Sequence, residues 1–215
     1  MRLALFGGTF DPPHVGHLLA AVDAYETLAL DRLIFVPAAQ QPFKVGQVVA
    51  SPEHRLAMTR LLAAGDPRFD VDPVEIDRAG LSFTVDTLTT YAERYPDAER
   101  FLLVGTDVLE SFANWRRPED VLRLARLVIV QRSRLGWPEG SDLPAGGECS
   151  PAPEHRWVSI GGLGAKGVQQ PEVITTRRVD VSSTEVRARV RDGKSIRGFV
   201  LDAVADYVTT SGLYR

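Results

Sequence analysis

Strand-sized apolar runs that alternate with stretches of helical periodicity constrain this chain more than any other feature. "RLALF" (2–6) precedes a helix expected from about 14 to 29, "RLIFVP" (32–37) precedes "PEHRLAMTRLLAAG" (52–65), and "FDVDPVEI" (69–76) precedes "TVDTLTTYAERY" (84–95). "RFLLVG" (100–105) is followed by "PEDVLRLA" (118–125), and "RLVIVQR" (126–132) closes the series. Strands buried on both faces read as continuous apolar runs, and regular strand–helix alternation makes a parallel sheet with helices on both sides. The expected fold class is α/β, a Rossmann-like doubly wound parallel sheet.

Residues 133–171 break the rhythm, being rich in Gly and Pro with only a short strand expected at "RWVSI". After them "EVITTRRVDV" (172–181) reads as a last strand, "SSTEVRARVRDG" as a helix with a serine or threonine cap and a glycine stop, and "GFVLDAVADYVTTSG" as another helix. That segment has too little to stand alone, so a single domain over 1–215 is expected, with 133–171 an irregular excursion from it. At 215 residues and 44% hydrophobic content the chain can bury one full core. A net charge of -3 with no basic block argues against a nucleic-acid binder, and no run of 18 apolar residues suggests a membrane span. The lone Cys149 rules out an internal disulfide and fits a cytoplasmic setting. Oligomeric state is not legible.

The most informative stretch is "GGTFDPPHVGH" (7–17), between the first strand and its helix. Gly7 and Gly8 permit a tight turn and close ligand approach, Asp11 suits a helix N-cap, and Pro12 or Pro13 suits the first helical turn. His14 and His17, three apart, share a helix face at the end where N–H groups and the dipole attract an anion. Gly16 between them lets a ribose or phosphate lie against the backbone. The chemistry expected is phosphate binding. The stretch matches neither GxGxxG nor GxxxxGK[ST], which disfavours a dehydrogenase or a Walker-type ATPase. His54, His155 and the single cysteine make no metal-ligand spacing, so no protein-held metal is expected. Other polar stretches follow the remaining strands: "PAAQQPFK", "GTDVLESFANW", "QRSR" and "VSSTEVR". In a parallel sheet these all gather beyond the strands' carboxyl ends, where ligands bind. They bring Lys44, Arg132, Arg134 and Arg187 to the same rim as His14 and His17, an environment for a polyphosphate.

"GGTFDPPHVGH" resembles the (H/T)xGH signature of the nucleotidylyltransferase superfamily, and "VSSTEVR" resembles its ISSTxIR signature, with Val181 and Val186 for the isoleucines. "SFTVDTL" (82–88), "VGTDVLESFANWRRPEDVL" (104–122), "LVIVQR" (127–132) and "GLYR" (212–215) are similar to the bacterial nicotinate-nucleotide adenylyltransferases in particular. "QQPFK" (40–44) departs from a family pattern nearer PPHK, and 133–171 matches none.

The resemblance implies a nucleotidylyltransferase-type fold with C-terminal helices and transfer of AMP from ATP to nicotinate mononucleotide, with Mg²⁺ carried mainly by the ATP phosphates. It implies that Gly7, Gly8, Thr9, Phe10 and Gly16 line the ATP cleft and that His14 and His17 hold the phosphates. Ser183, Thr184 and Arg187 would bind phosphate at a second helix start, with Gly105 and Asp107 on the adenosine. Thr84 and Trp115 would form the nicotinate pocket, with Lys44 and Arg132 near phosphates. Taken alone, Thr84 reads as a helix cap, Trp115 as core and Asp107 as a cap. Rival readings are a nicotinamide mononucleotide preference, phosphopantetheine adenylyl transfer, cytidylyl transfer, or a silent nucleotide sensor on the same fold.

Overall fold

The computed structural model describes residues 1–42, 49–133, 156–157 and 171–215. Within them β1 (Arg2–Gly8), β2 (Arg32–Pro37), β3 (Phe69–Val71), β4 (Glu99–Gly105), β5 (Arg126–Ser133) and β7 (Glu172–Arg177) pair in parallel, and β6 (Arg156–Trp157) runs antiparallel along β7. The order is β3-β2-β1-β4-β5-β7-β6. The chain winds outward from β1 to β3, then returns to place β4 on the other side of β1. Between the carboxyl ends of β1 and β4 the connections leave in opposite directions, which is where such sheets open a crevice.

The strands alternate with period two, and each face has its own core. Leu3, Leu5, Ile34, Val36, Leu102, Val104, Leu127 and Ile129 face α4 (Thr84–Arg94) and α6 (Pro118–Leu124), packing with Val85, Leu88, Tyr91, Val121 and Leu122. Ala4, Leu33, Phe35, Phe101, Leu103, Val128 and Val130 face α1 (Val15–Thr27) and α2 (Pro52–Ala63). Ala20, Ala21 and Ala24 make α1's inner face flat, so that helix lies close on the sheet. A third cluster joins α2 to α7 (Ser183–Arg191) and α8 (Asp202–Thr210) through Met58, Val186, Val204 and Val208. No helix among the described residues is long and apolar enough to cross a membrane.

Two strand boundaries differ from expectation. Only Phe69–Val71 of the 69–76 run is extended, and Val74–Arg78 forms a short helix, α3. Asp72 Oδ1 accepts the Val74 N–H at 2.9 Å and Pro73, with no N–H to give a ladder, accepts from Asp77 N at 2.8 Å. The last strand stops at Arg177 rather than 181, where Asp23 takes the Arg177 N–H at 2.8 Å and its guanidinium at 3.0 Å. Two short turns of helix, α5 (Val108–Ser111) and a 3₁₀ turn (Phe112–Asn114), fill the connection after β4. The strand expected at "RWVSI" is present as Arg156–Trp157; the rest of 134–170 lies outside the described residues.

Candidate active site

The turn after β1 brings the first histidine to the N-cap of α1 itself. His14 has extended backbone angles there and is 3% exposed, and His17 sits three residues on in the first turn. The His14 N–H donates to His17 Nδ1 at 3.1 Å. An imidazole that accepts at Nδ1 carries its proton on Nε2 in the neutral form, aiming a donor away from the backbone. The rings lie 3.8 Å apart, and Phe10 meets His17 edge-on at 5.1 Å. Phe10, 2% exposed and at φ 52°, forms the floor beneath Gly8 and His17 rather than an open wall. Gly16 needs to be glycine: a Cβ there would stand 3.0 Å from two atoms of the His14 ring. Gly7 has open space at its own Cβ position near the end of β1.

Asp11 does not cap α1, and neither Pro12 nor Pro13 belongs to its first turn. The Asp11 carboxylate turns inward instead, accepting from Val49 N at 2.8 Å, Ala50 N at 3.1 Å and the Tyr214 hydroxyl at 2.7 Å. With His14 supplying the cap position, Asp11 is free for this longer-range role. Burial and the adjacent carboxylate push the Tyr214 phenol well above its ordinary pKa, so it stays a donor.

The second helix start is tied to the first. Ser182 caps α7 by accepting from Glu185 N at 3.1 Å, one residue earlier than the pair expected to bind phosphate. Ser183 Oγ donates to the Pro12 carbonyl at 2.8 Å, and Arg187 donates to the Asp11 carbonyl at 2.7 Å and to Thr184 Oγ1 at 3.2 Å. The Val181 carbonyl faces Gly16. His14, His17, Ser183, Thr184 and Arg187 thus gather on one rim although α1 and α7 are far apart in sequence. Ser183 and Thr184 hydroxyls are partly engaged in this tie.

Arg55, 1% exposed, is a second brace that sequence reading missed. Its guanidinium donates to the carbonyls of Thr9 at 2.8 Å, Ala38 at 2.6 Å and Ala39 at 2.9 Å, joining the loops after β1 and β2. Thr9 Oγ1 donates to Gln41 Oε1 at 3.0 Å across the same gap. The signal was present: Arg55 shares a helix face with the buried Met58 and Leu62. Lys44 and Arg134 lie outside the described residues. Arg132 lies on β5 opposite Thr176, with its side chain outside them.

At the end of β4, the Asp107 carboxylate folds back over Gly105, where a Cβ would stand 2.6 Å from Oδ1. Across the sheet, Thr84 is the first residue of α4 and its N-cap is Phe83, so Thr84 does not cap the helix. Trp115 is half-buried, 5.2 Å from Phe112, and packs on the same core as Phe83. Glu75 on α3 ties to α4 by accepting from Thr87 Oγ1 at 2.6 Å. Burial pushes the Glu75 carboxyl above its ordinary range. Its protonated form therefore favours the fold below the usual glutamate pKa, and that contribution is lost as pH rises through the raised value. Glu75→Gln is expected to melt higher than the parent at pH 8, with the gap closing towards pH 4, in paired thermal melts.

Among the described residues no cluster of three or more His, Cys, Asp or Glu side chains is placed to hold a metal ion. The Asp11 carboxylate, three residues before His14, is committed to the donors above. The rim therefore offers imidazole, guanidinium and N–H groups, a donor set for phosphate oxygens.

Residues 5–189 match the cytidylyltransferase-like family. A Gemmatimonas aurantiaca protein described as a probable nicotinate-nucleotide adenylyltransferase is 50% identical over all of this chain and 93% of its own length. A Thermus thermophilus protein of the same description is 41% identical, with both chains fully covered. The structure of Plasmodium falciparum nicotinic acid mononucleotide adenylyltransferase complexed with NaAD superposes with a TM-score of 0.70, covering 99% of this chain and 97% of that one at 17% identity. That likeness bears on the fold.

Proposed function

The chain belongs to the nicotinate-nucleotide adenylyltransferases of the cytidylyltransferase-like family, and we propose that it joins AMP from ATP to nicotinate mononucleotide by one direct in-line displacement. The products are nicotinate adenine dinucleotide and pyrophosphate. The single observation that carries the residue assignment is the tie between the starts of α1 and α7, which puts His14, His17 and Arg187 on one rim at the β1–β4 crevice.

The attacking 5′-phosphate has a second pKa of about 6, so it is largely dianionic at neutral pH and needs no catalytic base. Its oxygen forms a bond to the α-phosphorus of ATP while the bond to the β-phosphate bridge oxygen breaks, and the electron pair leaves with pyrophosphate. No covalent enzyme intermediate forms. His14, His17 and Arg187 neutralise charge moving onto the leaving group and hold the triphosphate in line. Mg²⁺ enters as part of the MgATP substrate, which suits a rim of cationic and N–H donors. Ser183 and Thr184 shape the phosphate end, while Gly7, Gly8, Thr9, Phe10 and Gly16 form the wall and floor beside it. Gly105 and Asp107 receive the adenosine, and Thr84 and Trp115 the pyridine ring. A cytoplasmic setting fits this reading.

Pyrophosphate release with MgATP and either nicotinate or nicotinamide mononucleotide tests the function. Strong preference for the acid is expected, and activity with neither would sink the substrate assignment. Gly105→Ala tests the adenosine end: the new Cβ displaces only the tip of Asp107, so the melting temperature should hold while KM for ATP rises severalfold. An unchanged KM would remove Asp107 from ATP binding.

A further inference from the structure

The pyridine pocket is bordered by charges that its own ring contacts do not use. Arg116 lies over the Phe83 ring, 4.7 Å from its centroid, and pairs with Asp86 at 3.4 Å. Arg117, held at φ 50°, reaches the other Asp86 oxygen at 3.6 Å and Asp120 at 3.6 Å. Phe83 and Asp86 flank Thr84 and Val85 at the start of α4, and both arginines directly follow Trp115. The cluster therefore adjoins the two residues assigned to the pyridine ring.

Nicotinate and nicotinamide differ by one negative charge on one ring substituent. Stacking on Trp115 treats the two rings nearly alike, so a fixed charge beside the ring substituent adds directly to the difference between them. Arg116 and Arg117 face Asp86 and Asp120, so the cluster stands near charge balance and each single substitution at Arg116 or Asp86 changes the charge beside the ring by one unit.

We propose that Asp86, Arg116 and Arg117 form a selectivity cluster that sets how strongly the enzyme prefers nicotinate over nicotinamide mononucleotide, Arg116 raising the preference and Asp86 lowering it. The proposal rests on the reading of Thr84 and Trp115 as the pyridine pocket. These side chains are partly solvated, with Arg116 52% and Asp86 32% exposed, so screening limits each effect.

The measurement is kcat/KM for both mononucleotides, and KM for ATP, in the parent, Asp86→Asn and Arg116→Gln. Asp86→Asn keeps the side-chain shape and is expected to raise the acid-to-amide ratio by about three- to tenfold, while Arg116→Gln lowers it by a similar factor. KM for ATP should stay put, and both shifts should shrink in raised salt. A role limited to holding Trp115 in place would move both mononucleotides together and leave the ratio unchanged, which overturns the proposal. So does a shift of the ratio in the same direction in both variants. If the parent enzyme uses neither mononucleotide, the pocket reading itself fails, a result separate from the behaviour of the variants.

Discussion

Replacing His17 by alanine is expected to lower the turnover number by about 10²- to 10³-fold, the usual consequence of removing one donor that stabilises charge in a transition state. The structure separates this effect from misfolding. Among what the fold loses are the bond from the His14 N–H to His17 Nδ1, the ring contact with His14 and the edge contact with Phe10. A hydrogen bond of that kind is worth about 1 kcal/mol, or roughly 2–4 °C in the melting temperature of a chain this size. Because the imidazole acts on charge that builds up on the departing pyrophosphate, KM for ATP should change less than kcat. Steady-state pyrophosphate release and a thermal melt on the same preparation check both halves. Near-normal turnover would remove His17 from the mechanism.

The sheet was legible because its strands are buried on both faces. Runs such as Leu33–Val36 and Leu127–Val130 leave no polar alternation to misread, and their registers follow once α1, α2, α4 and α6 are recognised. The 69–76 run was misjudged because Phe69, Val71, Val74 and Ile76 keep an apolar rhythm through a proline turn. At the site, the histidine pair and the cap of α7 were visible as local spacing. Asp11 was visible only as an acid before two prolines, where a helix cap is the natural reading. Its true partners, Val49, Ala50 and Tyr214, are remote in sequence, and no local pattern encodes a meeting across that separation. Arg55 was legible only in part: its place on the buried face of α2 with Met58 and Leu62 shows in the spacing, but its acceptors are main-chain carbonyls of other loops, which leave no mark on side-chain sequence. Helix starts can thus be read locally, whereas the contacts that bring two of them together cannot.

Asp11→Ala is expected to cause the largest loss of stability of any change at the site. The carboxylate is 3% exposed and its oxygens satisfy two backbone N–H groups and a phenol, while Arg187 stands 3.8 Å away and Arg55 feels its charge. Removing one member of a buried charged group strands the others, at about 3–5 kcal/mol. For a chain of this length that is roughly a 6–20 °C fall in melting temperature. Tyr214→Phe removes a single bond to a charged acceptor, about 1.5–3 kcal/mol. The double variant should melt higher than the sum of the two losses implies, because both changes delete the same bond. The Asp11 and Pro12 carbonyls that receive Arg187 and Ser183 survive these substitutions, so activity at low temperature should fall less than that of His17→Ala. Melting of Asp11→Ala with the parent would mean that the buried carboxylate contributes nothing net, leaving the main-chain ties to align the two helix starts. A large loss of stability with turnover retained would show that Asp11 keeps the rim assembled without taking part in its chemistry.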